Sequence, residues 1–307
     1  MKRAILVLFA ILLVVGLVKA DVDTKDGVAI TTTSNIDGFT SNIDDYDGQV
    51  VTSGVTDYTA DANCMGAWFM NGTGDETDRS GEGGTLVETG GTIELIPDEC
   101  AGVDNPHGDC TGSGEASGHI PSGYSGKSRY FDLSDTVGLE HGDGNSTDIS
   151  GTTPISIVAW IKCESQADNM VVVAKYAATD YERQYQIMYR TAEDTVCGYL
   201  GYGQSGYCKE CLQTTMDLDT WYHVAMTWDG STINMYLNGS DNDDGSTSCS
   251  ESVNDSTRDF VIGAYGDQSG GFDGLIDEVA IFNKELSAAE VSDIYTNGLD
   301  GTKGGND

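Results

Sequence analysis

The chain has 307 residues, 50 acidic and 15 basic side chains, and a formal charge of −35. That length allows one large β domain or two ordinary ones, with enough chain to bury a core unaided by metals or cross-links. So acidic a surface repels phosphate backbones and anionic lipid, which excludes nucleic-acid and anionic-membrane binding, while 40 glycines against 4 prolines suit Gly-rich turns between short strands.

Residues 1–20 read as a secretory signal peptide: Lys2 and Arg3 precede an apolar run from Ala4 to Val18, and Val18-Lys19-Ala20 offers a cleavage site. The competing reading is an uncleaved anchor, but the run falls short of the roughly 20 residues that span a bilayer. The expected location is therefore secreted, extracellular or cell-surface, with no membrane insertion after cleavage. Residues 21–62 are rich in Thr, Ser, Asp and Gly and read as an extended N-terminal arm or linker.

From Cys64 the pattern changes to apolar strands. They are expected over 66–70, 155–161, 170–174, 184–189, 196–202, 221–228, 232–237 and 275–282. Asp229-Gly230 between two alternating runs signals a hairpin. Val224, Met226 and Trp228 on its first arm, and Ile233, Met235 and Leu237 on its second, should face the core. One helix follows: Ser287 and Glu290 form a capping box, Leu286 and Val291 a hydrophobic staple, and Gly298 the stop. The domain runs over 63–300, with a tail at 301–307. One short helix among many strands means an all-β sandwich.

Eight cysteines, at Cys64, Cys100, Cys110, Cys163, Cys197, Cys208, Cys211 and Cys249, are all disulfide candidates in an exported chain, and 105 pairings are open. Cys208-Lys-Glu-Cys211 also has the form of a redox or zinc motif. No second such pair and no βαβ context accompany it, so cross-linking is the favoured role. Four sequons, at Asn71, Asn145, Asn238 and Asn254, mark surface loops.

Four segments carry a family resemblance. The runs 221–239 and 272–290 resemble the paired strands and the closing strand and helix of laminin-G-like jelly-roll domains. Ser156–Lys162 is similar to their central inner strand. Cys64–Gly91, with Asp78-Arg-Ser-Gly81, resembles their opening strand and Gly-rich turn. The resemblance spans about residues 63–299 and implies a concanavalin A-like fold, two curved antiparallel sheets packed face to face. It implies an exported binding module for glycans, proteins or lipids, often with one calcium ion tying the opening turn to the closing strand. Glycoside hydrolases share the fold, so fold alone does not settle activity.

In the closing strand, strict alternation puts Asp277 with Val279 and Ile281, and Glu278 with Ile276, Ala280 and Phe282. Both carboxylates interrupt apolar faces, and a buried carboxylate needs a cation, donors or a proton. The resemblance places Asp78 nearby. A structural calcium is therefore expected on Asp277, Asp78 and the turn containing Gly81 and Gly83, against the alternative of an edge carboxylate held by water or backbone N–H groups. The loop 240–251 offers a weaker EF-hand-like spacing at Asn242, Asp244, Gly245 and Glu251, with Ser240 in the first position; a solvated hairpin loop is the favoured reading.

The paired-glutamate strand motif of laminarinase-type relatives is missing, as are H-E-x-x-H and G-x-S-x-G, so no catalysis is expected. Of the four histidines, His223 is read as a half-buried packing residue. Seven of the fifteen tyrosines fall within 176–207. Tyr185, Tyr189 and Tyr199 suit strand packing, whereas Tyr176, Tyr181, Tyr202 and Tyr207 are candidate ligand-binding residues, because aromatic faces stack on sugar C–H surfaces. The leading function is a secreted, calcium-stabilised, non-catalytic module for glycans or surface glycoproteins. A cell-surface adhesion protein and a polysaccharide hydrolase or lyase are the alternatives.

Overall fold

The computed structural model describes residues 21–25, 28–32, 39–46, 49–70, 74–90, 93–97, 127–133, 137–143, 147–167, 169–176, 182–202, 206–243, 247–267 and 269–301, with backbone alone across 21–55, 94–97 and 127. The expected signal peptide, tail, Cys100, Cys110, Tyr181, and the sequons at Asn71 and Asn145 lie outside the described residues, as do Asp244 and Gly245. Residues 1–57 and 58–307 form two separate units. The first holds two antiparallel hairpins where the sequence suggested an extended arm: β1 (Asp21–Lys25) with β2 (Val28–Thr32), and β3 (Phe39–Tyr46) with β4 (Gln49–Thr56).

The second unit is a two-sheet sandwich. Its nine-stranded sheet contains β5 (Cys64–Trp68), β7 (Glu94–Pro97), β8 (Lys127–Phe131), β10 (Ile155–Cys163), β15 (Trp221–Trp228), β16 (Thr232–Leu237), β17 (Ser240–Asp241), β18 (Thr247–Ser248) and β20 (Gly274–Phe282). The seven-stranded sheet has the order β14 (Tyr207–Cys211), β13 (Thr195–Gly201), β12 (Arg183–Arg190), β11 (Met170–Tyr176), β19 (Phe260–Ile262), β9 (Gly138–His141) and β6 (Val87–Thr89). The only α-helix among the described residues is α1 (Ala288–Asn297). The sandwich unit begins at Tyr58, five residues before the expected boundary. Its backbone N–H donates to Leu299 O, and its hydroxyl donates to Asp293.

β10 and β20 are mostly apolar and buried along their whole length because both their faces are covered. Ile155, Ile157, Ala159 and Ile161 face the core between the sheets, while Val158 faces Val291 and Ile294 of α1. Ser156 fixes the approach to that helix: its hydroxyl donates to Lys284 O and accepts from Leu286 N–H. The helix has the expected capping box, Ser287 with Glu290, and its staple residues Leu286 and Val291 are fully buried. The hairpin expectation also holds: Val224, Met226, Trp228, Ile233, Met235 and Leu237 all enter the sandwich core.

Strict alternation is interrupted at several register shifts, and the one in β20 bears on the two carboxylates. The pairing of β10 with β20 shifts register between Val158 and Trp160, and Glu278 adopts φ 44°. A bulge therefore inserts one residue. Ile276 and Val279 both point into the sandwich core, and Asp277 and Glu278 fall between them. Ile276 thus shares the core face with Val279 and Ile281, not the face of Ala280 and Phe282 that strict alternation gives it.

His223 is not half-buried but 1% exposed, ringed by Trp160 at 5.3 Å and Tyr295 at 5.9 Å. Neither ring nitrogen has a hydrogen-bond partner. Desolvation alone drives its pKa down to about 3, so it is neutral at pH 7. A histidine with a lowered folded pKa contributes stability above its unfolded value near 6.5, and that stability is lost as pH falls toward 3. Between pH 6.5 and 4 the thermal midpoint of the wild type should fall further than that of His223→Phe; parallel curves would show the imidazole to be solvated.

The cysteines resolve in part. Cys197–Cys211 joins neighbouring strands β13 and β14, and Cys208–Cys249 ties β14 to the segment after β18, which belongs to the opposite sheet. The two cysteines of the C-x-x-C are thus not paired with each other. Cys64 and Cys163, expected as disulfide partners, are instead free and buried, and desolvation pushes both thiols up to about 12, which makes them inert packing groups. Cys208–Cys249 closes 41 residues. On loop-closure entropy, Cys249→Ser should lower the unfolding free energy by about 4 kcal/mol, readable by denaturant titration.

Candidate functional site

The outer face of the nine-stranded sheet is covered over β10 and β20 by α1. The outer face of the seven-stranded sheet carries aromatic side chains instead. Along β12, Tyr185, Ile187 and Tyr189 point inward to the core, so Gln186 and Met188 point outward. On the same outward face stand Tyr199 of β13, Val171, Ala174 and Tyr176 of β11, and Tyr265, which follows β19. Tyr207 and Lys209 extend it onto the edge strand β14, opposite Gly201 and Tyr199.

These side chains form a ladder of flat groups. Tyr265 lies 5.2 Å from Tyr176, the Arg183 guanidinium sits 5.3 Å from Tyr176 and 5.7 Å from Tyr207, and Tyr207 meets Tyr199 edge-on at 5.3 Å. Such spacings are attractive for aromatic pairs and for a guanidinium on an aromatic face. Gly201 makes the arrangement possible: a Cβ there would collide with Arg183 Cβ and its carbonyl. Tyr207 is 51% exposed and Tyr176 half-buried, so the ladder has a solvent-facing crest. Burial raises the Tyr199 hydroxyl to about 12 and raises those of Tyr176 and Tyr265, so all three stay protonated donors at neutral pH. The flanking charges are tied locally, Lys209 and Arg190 both to Glu193.

Of the four tyrosines picked from sequence, Tyr176 and Tyr207 meet across Arg183. Tyr202 is elsewhere: it packs on the sandwich core, and its hydroxyl lies 2.8 Å from Cys249 Sγ. Tyr199 is half of the reading it was given, a packing residue, but on the outer face. Arg183, Gln186 and Tyr265 were missed. The period-2 pattern of β12 would have put Gln186 and Met188 on one outward face, whereas nothing local announces Tyr265.

The residues expected to hold calcium separate into two environments. The Asp78 carboxylate is filled by donors: Ala67 N–H and Ser80 N–H on Oδ1, Gly83 N–H on Oδ2, and the Ser80 hydroxyl on both. Gly83 thus offers a donor, and its own place is dictated by space, since a Cβ would strike Gly66 Cα and Met65 O at 2.7 Å. Gly81 has φ 80° on an exposed turn. That turn is built around an anion and does not fit a cation held by Asp78. Asp277 differs. It is 3% exposed, and its Oδ1 accepts only the N–H of Glu278. Desolvation, then the Glu278 and Glu76 carboxylates, raise its pKa well above the usual range. Burial likewise raises Glu278 to about 8, and its Oε1 is buried without a partner. Glu76 is itself offset by Arg129 at 3.4 Å. Asp277 alone of the expected set fits a cation. Among the described residues no three His, Cys, Asp or Glu side chains gather as a metal set, so further ligands would be carbonyls and water.

Within the EF-hand-like loop, β17 and β18 each pair with β16. Asn242 Oδ1 accepts Gln213 N–H and Thr214 N–H, and Asp243 accepts Met235 N–H.

The family follows from this architecture. The chain belongs to the concanavalin A-like lectin/glucanases superfamily, the Laminin_G_3 profile matching residues 128–292. Solved structures with the same fold include two toxin binding domains and one further botulinum neurotoxin structure. The receptor-binding domain of a botulinum neurotoxin C/D mosaic serotype has a TM-score of 0.52 at 14% identity, over 76% of this chain and 51% of that one. The binding domain of Paraclostridial Mosquitocidal Protein 1 also has a TM-score of 0.52 at 14% identity, over 76% and 52%. A botulinum neurotoxin type C structure has 0.51 at 14% identity, over 76% and 51%. The chain thus spans about half of each of these. No curated protein matches in sequence.

Proposed function

We propose that this is a secreted, non-catalytic module that binds glycans across the outer face of its seven-stranded sheet. The observation that carries the reading is the Tyr265–Tyr176–Arg183–Tyr207–Tyr199 ladder, which presents flat apolar surfaces with polar rims on an otherwise strongly acidic molecule. Sugar rings stack on such surfaces while their hydroxyls exchange hydrogen bonds with the rims. Two of the toxin domains of like fold are described as binding a receptor or depending on gangliosides, which is consistent with recognition by this scaffold. Two disulfides and the apolar run at 4–18 support an oxidising, exported setting. Binding without turnover is favoured because the buried pair Asp277 and Glu278 sits in the other sheet, remote from the ladder in the topology. Tyr207→Ala should weaken binding to whichever of laminarin, arabinan or galactomannan the wild type retains in affinity electrophoresis by about tenfold, the loss of one stacking contact, with the thermal midpoint unchanged. No retention of any of the three by the wild type would remove the glycan reading.

A structural calcium at Asp277 is part of this proposal. What supports it is a buried carboxylate flanked by two further acids. The ion would neutralise the closing strand and has no part in ligand binding. One millimolar calcium should raise the thermal midpoint over that in EDTA, and Asp277→Asn should abolish the difference. Equal midpoints for the wild type would mean that Asp277 is held by a proton.

A further inference from the structure

Gln186 is a buried amide on the outward face that the ladder occupies. It stands in register with Tyr199 on β13 and Ala174 on β11, and so lies in a cross-strand row of Lys209, Tyr199, Gln186, Ala174 and Val261. It is 3% exposed, and its Oε1 has no hydrogen-bond partner. Its neighbours on the face, Ala174, Met188, Tyr199 and Tyr265, belong to one apolar cluster. An amide oxygen left unsatisfied there destabilises the fold, a cost that a methionine of nearly the same shape would avoid.

We propose that Gln186 is the specificity-determining polar contact of the ladder, and that its amide receives a hydroxyl of a neutral sugar seated on Tyr176 and Tyr207. This deepens the glycan reading and rests on it. A hydroxyl is the fitting partner because it donates to an amide oxygen, and would equally accept from the amide nitrogen were the group turned over. A purely apolar or aromatic ligand would use the rings and leave the amide unsatisfied. The amide is 3% exposed, so a ligand reaches it only by displacing side chains of the surrounding cluster. The site therefore discriminates by demanding a donor at depth, in the way a buried polar group rejects ligands that cannot pair with it.

The test uses the full chain and the Gln186→Met variant, with thermal midpoints read beside retention on laminarin, arabinan and galactomannan gels. The expected result is a midpoint for Gln186→Met equal to or above the wild type's, together with an affinity at least tenfold weaker for the polysaccharide that the wild type retains. Unchanged affinity in Gln186→Met, with Tyr207→Ala still weakened, would overturn the role of Gln186 and leave the ladder as the binding surface. A lowered midpoint in Gln186→Met would also overturn it, since the amide would then be satisfied within the fold. Failure of the wild type to bind any of the three would overturn both readings together.

Discussion

The sandwich depends on the double burial of β10 and β20. These central strands carry apolar side chains on both faces, and neither face tolerates water. One face is closed by the opposite sheet. The other is closed by α1, which the Ser156 hydroxyl and the Ser287–Glu290 box bring down at a fixed angle. The strand following the hairpin, the helix and Tyr58 near the unit's start are all held against the same surface. Among the described residues no helix covers the seven-stranded sheet. Its outer face is covered by its own side chains, and the planar groups that do this remain partly open to solvent. The candidate binding surface is thus a consequence of α1 packing on the other sheet.

Much of this was legible from residue order. Alternation in 221–237 defined a hairpin and its inward face, and Ser287 with Glu290 marked the helix start, because both depend on interactions within a few residues. The bulge at Glu278 was not legible. A period-2 reading has no way to register one inserted residue, and the insertion changes which carboxylate neighbours which. Cysteine pairing was equally hidden: Cys208 and Cys211 are close in sequence, but they lie on adjacent pleats of a strand and face opposite ways, so each finds a different partner.

The site shows the same division. Tyr176 and Tyr207 could be picked because tyrosines crowd that part of the chain, yet the same crowding drew in Tyr202, which the strand's end turns toward the core. Arg183 needs Gly201 across the sheet to make room for it, and Tyr265, 77 residues from its partner Met188 on β12, arrives only as the sheet assembles. Asp78 is a different case. The resemblance implied a metal ligand in that Gly-rich turn, whereas here backbone N–H groups of Ala67, Ser80 and Gly83 close on its carboxylate.

The edge strand β14 is fastened through both of its faces, by Cys211 to the neighbouring strand and by Cys208 to the far sheet. An edge held only by hydrogen bonds peels away one residue at a time when pulled. Tension on β14 would instead meet covalent sulfur linkages at Cys208 and Cys211, so this margin of the sheet resists unzipping.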